Sequence, residues 1–473
     1  MTNGLLEIVS FSDPIALQKP ARDPQTGGGY RSTVSLHTLG CRLNQSEIAT
    51  LGAAFHADRY RIVEEGAPAD LAVINTCSVT EQAEAKCRGL IRKLLRQNPN
   101  TFIAVTGCYA QVGVDALRKM PGVDLIAGTE FKMDLPALVE KALEGKPPAK
   151  RSAPMVFHTP KISRDDFRHR FDAGYVQSTR PNIKIQDGCD FFCSFCIIPF
   201  TRGRERSREF NDILLETAIW VERGHREIVL TGVNLGEYHS GGKDLCDLID
   251  RLEEIEGLRR IRISSIEPTT VSTRMLDRMA RGGKLCPYLH LPLQSGSDAV
   301  LSAMERRYTR QEYIDFVREA VRRVPNLGLG TDVMVGFPGE EEADFQETLL
   351  LIESLPFSYL HVFPFSMRKG TRVTKQDFPP VPSRVIKARS RRLGDLSKVL
   401  RGRFYAQAVG ETVEVLFETR NEEGLFCGLT MNYIRVGVES EQDLSGRLGA
   451  VRIEAVSDRL AKGRLIGEVR GEI

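Results

Sequence analysis

Three cysteines are spaced closely enough to hold one metal centre. Cys189, Cys193 and Cys196 form the pattern CxxxCxxC directly after a predicted β-strand, Ile183–Gln186. Three thiolates on one tight loop can bind three irons of a 4Fe–4S cluster, which leaves the fourth iron open to another ligand. Zinc is the alternative, but structural zinc usually has four protein ligands. Since no fourth Cys or His lies close in sequence, we favour iron–sulfur chemistry at this loop.

Three further cysteines are dispersed, but each follows the carboxyl end of a predicted strand. They are Cys41, Cys77 and Cys108. Open parallel sheets bind ligands at that edge, so the three thiols can converge on one rim. The alternative is three buried cysteines that only pack, because a free cysteine behaves as a small hydrophobe. Spacing alone leaves both interpretations open. We assign the remaining cysteines to packing: Cys87, Cys246, Cys286 and Cys427.

The elements that would position these cysteines begin after a predicted disordered extension, residues 1–29, which ends in a run rich in Gly and Pro. Strand-like and helix-like runs alternate over residues 30–146, which indicates an α/β domain with a parallel sheet. Residues 147–180 are rich in Pro, Lys, Arg and Ser. We predict that they form a linker.

The second half of the chain has two different patterns. Residues 181–380 repeat strand then helix six times, which predicts a partial (β/α)6 barrel with its active site at the carboxyl ends of the strands. The predicted barrel domain extends over residues 181–403. Its last segment, residues 384–403, is a helix candidate with eight Lys or Arg against one Asp. Residues 404–473 alternate apolar and polar residues between turns, which predicts a small antiparallel β barrel.

Composition excludes several classes of protein. The 473 residues are 41% hydrophobic and 27% charged, which excludes a disordered or collagen-like chain. No uncharged apolar run reaches about 18 residues, and no basic segment with an apolar core opens the chain, so we predict neither a membrane span nor a secretory signal. We therefore expect a cytoplasmic protein whose ten cysteines stay reduced. The net charge of +3 is too small to indicate nucleic acid by itself.

The CxxxCxxC loop, with Phe195 before its last cysteine and six predicted βα units, resembles radical S-adenosylmethionine (SAM) enzymes. The resemblance implies that the open iron binds the amino and carboxylate groups of SAM. It also implies that an electron from the cluster cleaves SAM to a 5′-deoxyadenosyl radical. The cofactor carries this chemistry, while the protein orients it and excludes water.

The sequences around the dispersed cysteines resemble those of the radical SAM methylthiotransferase family. They read TLGCRLNQ from Thr38, NTCSVT from Asn75 and TGC from Thr106. The resemblance implies a second 4Fe–4S cluster, held by Cys41, Cys77 and Cys108, that supplies or carries sulfur. It spans about residues 31–470 and includes a C-terminal domain that resembles a TRAM domain, a small RNA-binding β barrel.

Segments at three barrel strand ends resemble SAM-contacting segments of these enzymes. The candidate residues are Gly232, Asn234, Gln294, Asp332 and Gly336. The plain alternative is ordinary βα turns and buried strands. We expect His290, close to Gln294, to be a satisfied core histidine.

Two basic segments flank the predicted site. One is the helix candidate 384–403, and the other is Thr201–Arg208, which carries four Arg. A charge run is usually a solvated face. Because basic residues on both sides of a site suit phosphate contacts, we favour contact with RNA.

The family divides by substrate. Three segments here, residues 40–45, 76–80 and 185–189, most resemble the enzymes that act on N6-threonylcarbamoyladenosine at position 37 of tRNA. The resemblance implies replacement of the hydrogen on adenine carbon 2 by a methylthio group. An adenine C–H is unactivated toward acid–base chemistry, so we predict no catalytic residue beyond the cluster ligands. The expected partners are a tRNA anticodon loop and an electron donor such as a flavodoxin or ferredoxin, and we expect a monomer.

Three alternatives stay open. Two keep the chemistry and change the substrate, to isopentenyladenosine 37 of tRNA or to an aspartate of a ribosomal protein. The third is a non-enzymatic iron–sulfur protein that binds RNA or transfers electrons.

Overall fold

The structure is a computed structural model. It describes residues 32–57, 60–64, 66–164, 167, 178–457 and 459–470. The predicted extension, residues 1–29, lies outside the described residues. No helix in these ranges is long and apolar enough to cross a membrane.

The first part of the chain folds around a sheet of six parallel strands in the order β2-β1-β3-β4-β5-β6. The strands are β1 (Ser32–Thr38), β2 (Tyr60–Val63), β3 (Leu71–Thr76), β4 (Phe102–Gly107), β5 (Leu125–Ala127) and β6 (Met155–Phe157). The helices are α1 (Arg42–Ala57), α2 (Glu81–Gln97), α3 (Cys108–Val112), α4 (Val114–Arg118) and α5 (Leu135–Leu143). Strands β3 and β4 are buried along their whole length, as strands covered on both faces must be.

Both edge strands of this sheet differ from the prediction. Strand β2 was not predicted, and β6 lies inside the predicted linker, residues 147–180, where it pairs with β5. The first part of that segment therefore belongs to the sheet. With four and three residues, these strands are too short for an apolar pattern to be recognised.

The central part contains six parallel strands in two sheets, ordered β13-β10-β7 and β14-β15-β16. The main strands are β7 (Asn182–Lys184), β10 (Glu227–Thr231), β13 (Arg260–Ile263), β14 (Tyr288–His290), β15 (Gly328–Val335) and β16 (Tyr359–Pro364). Short strands are β8 (Gln186–Asp187), β9 (Arg206–Ser207), β11 (His239–Ser240) and β12 (Lys243–Asp244). Parallel bridges from Ile261 to Leu285 and from Ser265 to His290 join the two sheets into one curved wall.

The helices of the central part are α6 (Ile198–Arg202), α7 (Phe210–Glu222), α8 (Leu245–Glu253), α9 (Thr273–Arg281), α10 (Asp298–Ala303), α11 (Arg310–Arg323), α12 (Glu342–Ser354) and α13 (Ser383–Ala406). Apolar residues of the strands and of most of these helices form one continuous core. Strands β7 and β16 end the strand order, so the barrel is partial. Helix α1 packs against β7, and the Ser366 hydroxyl beyond β16 accepts the Glu81 N–H of α2. The N-terminal domain therefore covers the open side of the barrel.

Five strands at the end of the chain close into a barrel, ordered β17-β18-β19-β21-β20. They are β17 (Thr412–Arg420), β18 (Phe426–Leu429), β19 (Arg435–Val438), β20 (Leu448–Val456) and β21 (Ala461–Arg470). One pair, β19 with β21, is parallel, and the other pairs are antiparallel. This barrel caps the amino ends of the central strands, because Arg260 donates to the Leu429 carbonyl (2.9 Å) and Arg262 to that of Met431 (2.8 Å). The predicted α/β class, partial barrel and small β barrel are confirmed.

Candidate active site

The first cysteine set lies on the loop between β8 and α6. It consists of Cys189, Cys193 and Cys196. Strands β8 and β9 pair and bracket this loop. Gly188 has a φ of +73°, and a Cβ there would lie 1.9 Å from the Arg204 carbonyl oxygen. Phe192 also has a positive φ, +52°, which is uncommon for a bulky residue. The backbone of this loop is therefore held in one unusual shape.

The thiols of the first set interact electrostatically. Burial raises the pKa of Cys189 to about 12 and also raises that of Cys196, and the neighbouring Cys193 adds to both shifts. Arg306 opposes the shift of the Cys196 pKa. Its Nη1 lies 3.3 Å from Cys193 Sγ, and its guanidinium is paired with Glu267. Thiols beside a fixed cation suit ligands that lose their protons to a metal centre.

The spacing of the cysteines favours a cluster over a single ion. Among the described residues, one group of three His, Cys, Asp or Glu has its ligand atoms all within 4.8 Å of one another, namely His290, Asp332 and His361. The sulfurs of neither cysteine set come that close together. One zinc ion holds its thiolates about 2.3 Å from itself and needs them close, whereas a cluster spreads them over several irons.

The second cysteine set lies at the carboxyl ends of β1, β3 and β4, as predicted. It consists of Cys41, Cys77 and Cys108. Two glycines allow close approach: a Cβ on Gly40 would lie 3.0 Å from Cys77 Sγ, and a Cβ on Gly107 would lie 2.5 Å from the Thr76 carbonyl oxygen. Both glycines have positive φ, +114° and +94°, which L side chains rarely adopt.

The thiols of the second set also lie close to one another. Burial raises the pKa of Cys41 and that of Cys77, and in both cases Cys108 adds to the shift. The structure therefore brings together three cysteines that are dispersed in sequence. Cys87 is buried beside them and donates to the Cys77 carbonyl oxygen (3.7 Å), which fits the packing role predicted for it.

The two cysteine sets are neighbours in space. Helix α3 begins at Cys108 and packs against α6, which begins two residues after Cys196. Beside this contact, the Thr129 hydroxyl donates to the Thr201 carbonyl oxygen at 2.6 Å. Ligands of two metal centres can therefore face one space between the N-terminal domain and the barrel.

Gly232 and Asn234 form a tight turn at the end of β10. The side-chain oxygen of Gln186 accepts the N–H groups of Val233 (2.8 Å) and Asn234 (3.0 Å). A Cβ on Gly232 would lie 2.9 Å from that same oxygen, so glycine is needed there. The Asn234 side chain is buried, and its amide nitrogen has no hydrogen-bond partner among the described residues. The turn thus holds an unpaired amide donor, the Asn234 side-chain nitrogen, at a strand end, where a ligand could accept a hydrogen bond from it.

Asp332 lies on β15 between two histidines. His290 Nε2 lies 3.0 Å and His361 Nδ1 3.3 Å from the same Asp332 carboxylate oxygen. Burial alone would raise the pKa of Asp332, but the two histidines outweigh it and lower that pKa. His290 is buried and its Nδ1 also lies 3.0 Å from the Tyr359 hydroxyl, so it is the satisfied histidine that was predicted. Gln294 has a φ of +66°, and its N–H donates to the Asp332 carbonyl oxygen at 2.8 Å.

Gly336 follows β15 in a tight turn that leaves no room for a side chain. Its φ is +79°, and a Cβ would lie 2.4 Å from Ile386 Cγ1 on α13. Its N–H donates to the Glu340 carboxylate, which is paired with Arg389 of α13 at 3.2 Å. Phe195, in the first cysteine loop, is half-buried and packs against the apolar cluster that contains Phe337. The candidate SAM-contacting residues thus lie at the carboxyl ends of barrel strands or beside them.

Part of the basic segments is buried. Arg202 and Arg208 form ion pairs with Glu47 and Glu216, respectively, and are 1% and 2% exposed. Arg389 in α13 is likewise buried against Glu340. The prediction that these segments face RNA is therefore wrong for these three side chains. The other basic residues of α13 are exposed or partly exposed: Arg384, Lys387, Arg391, Arg392, Lys398, Arg401 and Arg403.

Comparison with known proteins adds to this geometry. Residues 183–352 match the radical SAM superfamily, and residues 33–128 match an uncharacterized protein family, UPF0004. A threonylcarbamoyladenosine tRNA methylthiotransferase, MtaB, of Bacillus subtilis is 35% identical over 93% of this chain and 98% of its own length. The chain belongs to the radical SAM methylthiotransferase family. This confirms the resemblance inferred from the cysteine motifs.

Other relatives within the radical SAM methylthiotransferase family are almost as similar. The MtaB protein of Aquifex aeolicus is 37% identical over 89% of this chain and all of its own length. A tRNA-2-methylthio-N6-dimethylallyladenosine synthase of Cereibacter sphaeroides is 34% identical over 91% and 98%. Among solved structures, the radical SAM methyltransferase TsrM of Kitasatospora setae superposes with a TM-score of 0.52 at 14% identity, covering 70% of this chain and 72% of its own. That likeness supports the fold.

As a radical SAM methylthiotransferase, the protein uses SAM and two 4Fe–4S clusters, and the two cysteine sets fit these cofactors. Two neighbours of the site were missed in the sequence: Arg306 and His361. No local motif marks Arg306 or His361. Arg202 was noticed, but as an RNA contact, because its buried partners lie far away in sequence.

Proposed function

We propose that the protein converts N6-threonylcarbamoyladenosine at position 37 of tRNA to its 2-methylthio derivative. The observation that carries the proposal is the contact between α3 and α6, because it sets the two cysteine sets side by side. One set alone would suit many radical SAM reactions, whereas two adjacent sets suit a reaction that inserts sulfur. The relatives named for this substrate match nearly the whole chain.

We assign Cys189, Cys193 and Cys196 to the SAM-binding cluster and Cys41, Cys77 and Cys108 to the second cluster. When bound, these groups would supply a SAM-derived radical that takes the hydrogen from adenine carbon 2 and the sulfur that replaces it. A second SAM would supply the methyl group. Phe195 and the turn residues of the barrel bind and orient SAM: Gly232, Asn234, Gln294, Asp332 and Gly336. The N-terminal domain covers the open side of the barrel and excludes water.

The tRNA is held by charge and by the C-terminal β barrel. Exposed basic residues of α13 contact phosphates, and an unpaired base of the anticodon loop can be splayed out toward the strand ends. A flavodoxin or ferredoxin supplies the electron, and the chain works as a cytoplasmic monomer.

A second candidate substrate is the dimethylallyl form of adenosine 37. The relative named for it is 34% identical to this chain, almost as similar as those named for the threonylcarbamoyl form. Both substrates need the same removal of hydrogen from carbon 2, so the chemistry of the site does not distinguish them.

The test is mass spectrometry of nucleosides from total tRNA, with and without the gene. We expect specific loss of the methylthio form of threonylcarbamoyladenosine. Loss of the methylthio dimethylallyl form instead would overturn the substrate and keep the reaction. If neither changes, the tRNA proposal fails and an aspartate of a ribosomal protein becomes the expected substrate.

A variant tests the assigned chemistry separately. Cys193→Ala should abolish reductive cleavage of SAM while tRNA binding persists, because the loop holds a cluster and the RNA contacts lie elsewhere. Cys246→Ala is the matched control, since Cys246 is buried in the barrel core. Retained SAM cleavage in Cys193→Ala would overturn the assignment of the first cysteine set.

A further inference from the structure

A buried ionic network joins the two halves of the active site. It consists of Glu47 on α1 and Lys132 from the N-terminal domain, and Lys184, Asp187 and Arg202 from the barrel. None of these five residues is more than 4% exposed. Such charges are costly to bury unless each is paired, so the arrangement of partners in this network is informative.

Glu47 is the centre of the network. Its carboxylate oxygens lie 2.5 Å from Lys132 Nζ, 2.9 Å from Lys184 Nζ and 2.9 Å from Arg202 Nη1. Asp187 pairs with Lys184 at 2.6 Å and with Arg202 at 3.0 Å. Arg206 Nη2 also lies 3.6 Å from the Asp187 carboxylate, so four basic side chains share two carboxylates among the described residues. A further anion nearby would stabilise these cations.

The second cysteine set lies next to these cations. Arg202 Nη2 donates to the Asn44 side-chain oxygen at 2.7 Å, and Cys41 Sγ lies 3.8 Å from the same oxygen.

We propose that Arg202, supported by Lys132, is a positioning residue for the second cysteine set, and that the positive charge of the buried network stabilises the sulfurs of the bound cluster. The ligands come from the N-terminal domain, but part of their charge compensation comes from the barrel. The guanidinium also holds Asn44, which donates to the Leu39 and Thr76 carbonyls (2.7 and 3.1 Å) on the two cysteine loops. This inference rests on the proposed ligand role of Cys41, Cys77 and Cys108.

The test isolates the second cluster in the full-length chain. Cys189, Cys193 and Cys196 are changed to Ala, and bound iron and the midpoint potential are measured by a redox titration followed by electron paramagnetic resonance. In this background Arg202→Met should lower the potential, because the reduced cluster loses a stabilising cation. Glu47→Gln should raise it, because an anion is removed from the same network. A purely structural role would not produce shifts of opposite sign.

Arg208→Met is the matched control. Arg208 is also a buried arginine paired with a glutamate, Glu216, but it lies outside this network. We expect it to leave the potential unchanged even if stability falls. Shifts of the same sign in Arg202→Met and Glu47→Gln, or shifts no larger than that of Arg208→Met, would overturn the inference.

Two further outcomes are separable. If the parent with three alanines binds no iron, the proposed ligand set fails, and the inference fails with it.

If Arg202→Met does not fold, Arg202→Lys and Glu47→Gln decide the matter. The lysine keeps the positive charge but loses the guanidinium hydrogen bond to Asn44. Its midpoint potential should therefore stay close to that of the parent, whereas its iron should be lost more readily to a chelator. A potential in Arg202→Lys displaced as far as that of Glu47→Gln would overturn the electrostatic role.

Discussion

The ring of Tyr433 stacks on the ring of Tyr288, with centroids 4.5 Å apart and planes inclined by 24°. Tyr433 belongs to the C-terminal barrel and Tyr288 to β14 of the central barrel. The Tyr433 hydroxyl also accepts a hydrogen bond from Arg42 Nη2 at 2.7 Å, next to Cys41. One side chain therefore contacts the central barrel and the cysteine-bearing domain at once.

Tyr433→Ala should loosen the C-terminal barrel, because it removes both the stacked ring and the acceptor for Arg42. Loss of a packed aromatic ring costs about 3–5 kcal/mol. Tyr433→Phe is the control: it keeps the ring and loses one hydrogen bond to a charged donor, worth about 1.5–3 kcal/mol. Hydrogen exchange of the β17–β21 amides measures the difference. Equal exchange in the two variants would contradict a role for the stacked ring.

Gly336→Ala should weaken SAM binding and destabilise the chain by about 1–3 kcal/mol, because the new Cβ would meet Ile386 and the positive φ would strain alanine. Gly394→Ala is the control on α13, where no atom lies within 4 Å of the added Cβ. Alanine at that helical position should stabilise by up to about 1 kcal/mol. Equilibrium dialysis with SAM and urea unfolding measure both effects. Unchanged SAM affinity in Gly336→Ala would argue against this turn as a SAM contact.

The barrel and both cysteine sets were predictable because their signals are local. Each barrel strand is followed by a helix-like segment, and each dispersed cysteine follows the carboxyl end of a predicted strand. The parallel pairing of β1, β3 and β4 then brings Cys41, Cys77 and Cys108 to one edge without further information. The local sequence pattern and the parallel topology agree, so the grouping of these three cysteines follows from the sequence.

The charged environment of the site was not predictable, because its partners are distant in sequence. Arg202 pairs with Glu47, 155 residues away, and Arg306 reaches Cys193 across 113 residues. Four arginines within eight residues indicate an exposed face from the sequence alone. The pattern carries no information on which of them pair with a buried carboxylate. The short edge strands β2 and β6 were missed for a different reason, that they have too few residues to show a period.

Removing exposed charge from α13 should weaken tRNA binding. Lys387 and Arg391 are exposed, and replacing both by Ala should lower affinity and reduce the salt slope of the binding constant by about one per charge. Surface changes of this kind alter stability by only about 0.5 kcal/mol. Filter binding at several salt concentrations provides the measurement. Affinity and slope equal to those of the unchanged chain would exclude this face from the RNA interface.

Arg389, on the same helix, should behave in the opposite way. It is buried and paired with Glu340, which accepts the Gly336 N–H. Arg389→Met leaves Glu340 buried without its partner and should cost about 3–5 kcal/mol of stability. Because the residue is hidden, the salt slope of tRNA binding should not change. A reduced slope with unchanged stability would mean that Arg389 faces the RNA after all.

Acid should loosen the C-terminal barrel through Glu227. This residue is fully buried beside Arg262 (2.7 Å), Arg260 (3.6 Å) and Arg180 (3.7 Å). Burial by itself would raise the pKa of Glu227, but the arginines outweigh it and lower the pKa from 4.5 to about 2. Because the folded pKa is the lower one, the stabilisation is complete above pH 4.5 and is lost as the pH falls toward 2, by roughly 3 kcal/mol in total.

Urea unfolding of the metal-free chain between pH 7 and pH 3, followed by fluorescence of Trp220, should therefore show less acid dependence in Glu227→Gln than in the unchanged chain. Glu319→Gln is the control, because the pKa of Glu319 is also about 2, but solvent screens its arginine partners on α11. If Glu319→Gln removes as much of the acid dependence as Glu227→Gln does, the buried pairs beneath the C-terminal barrel are not its source.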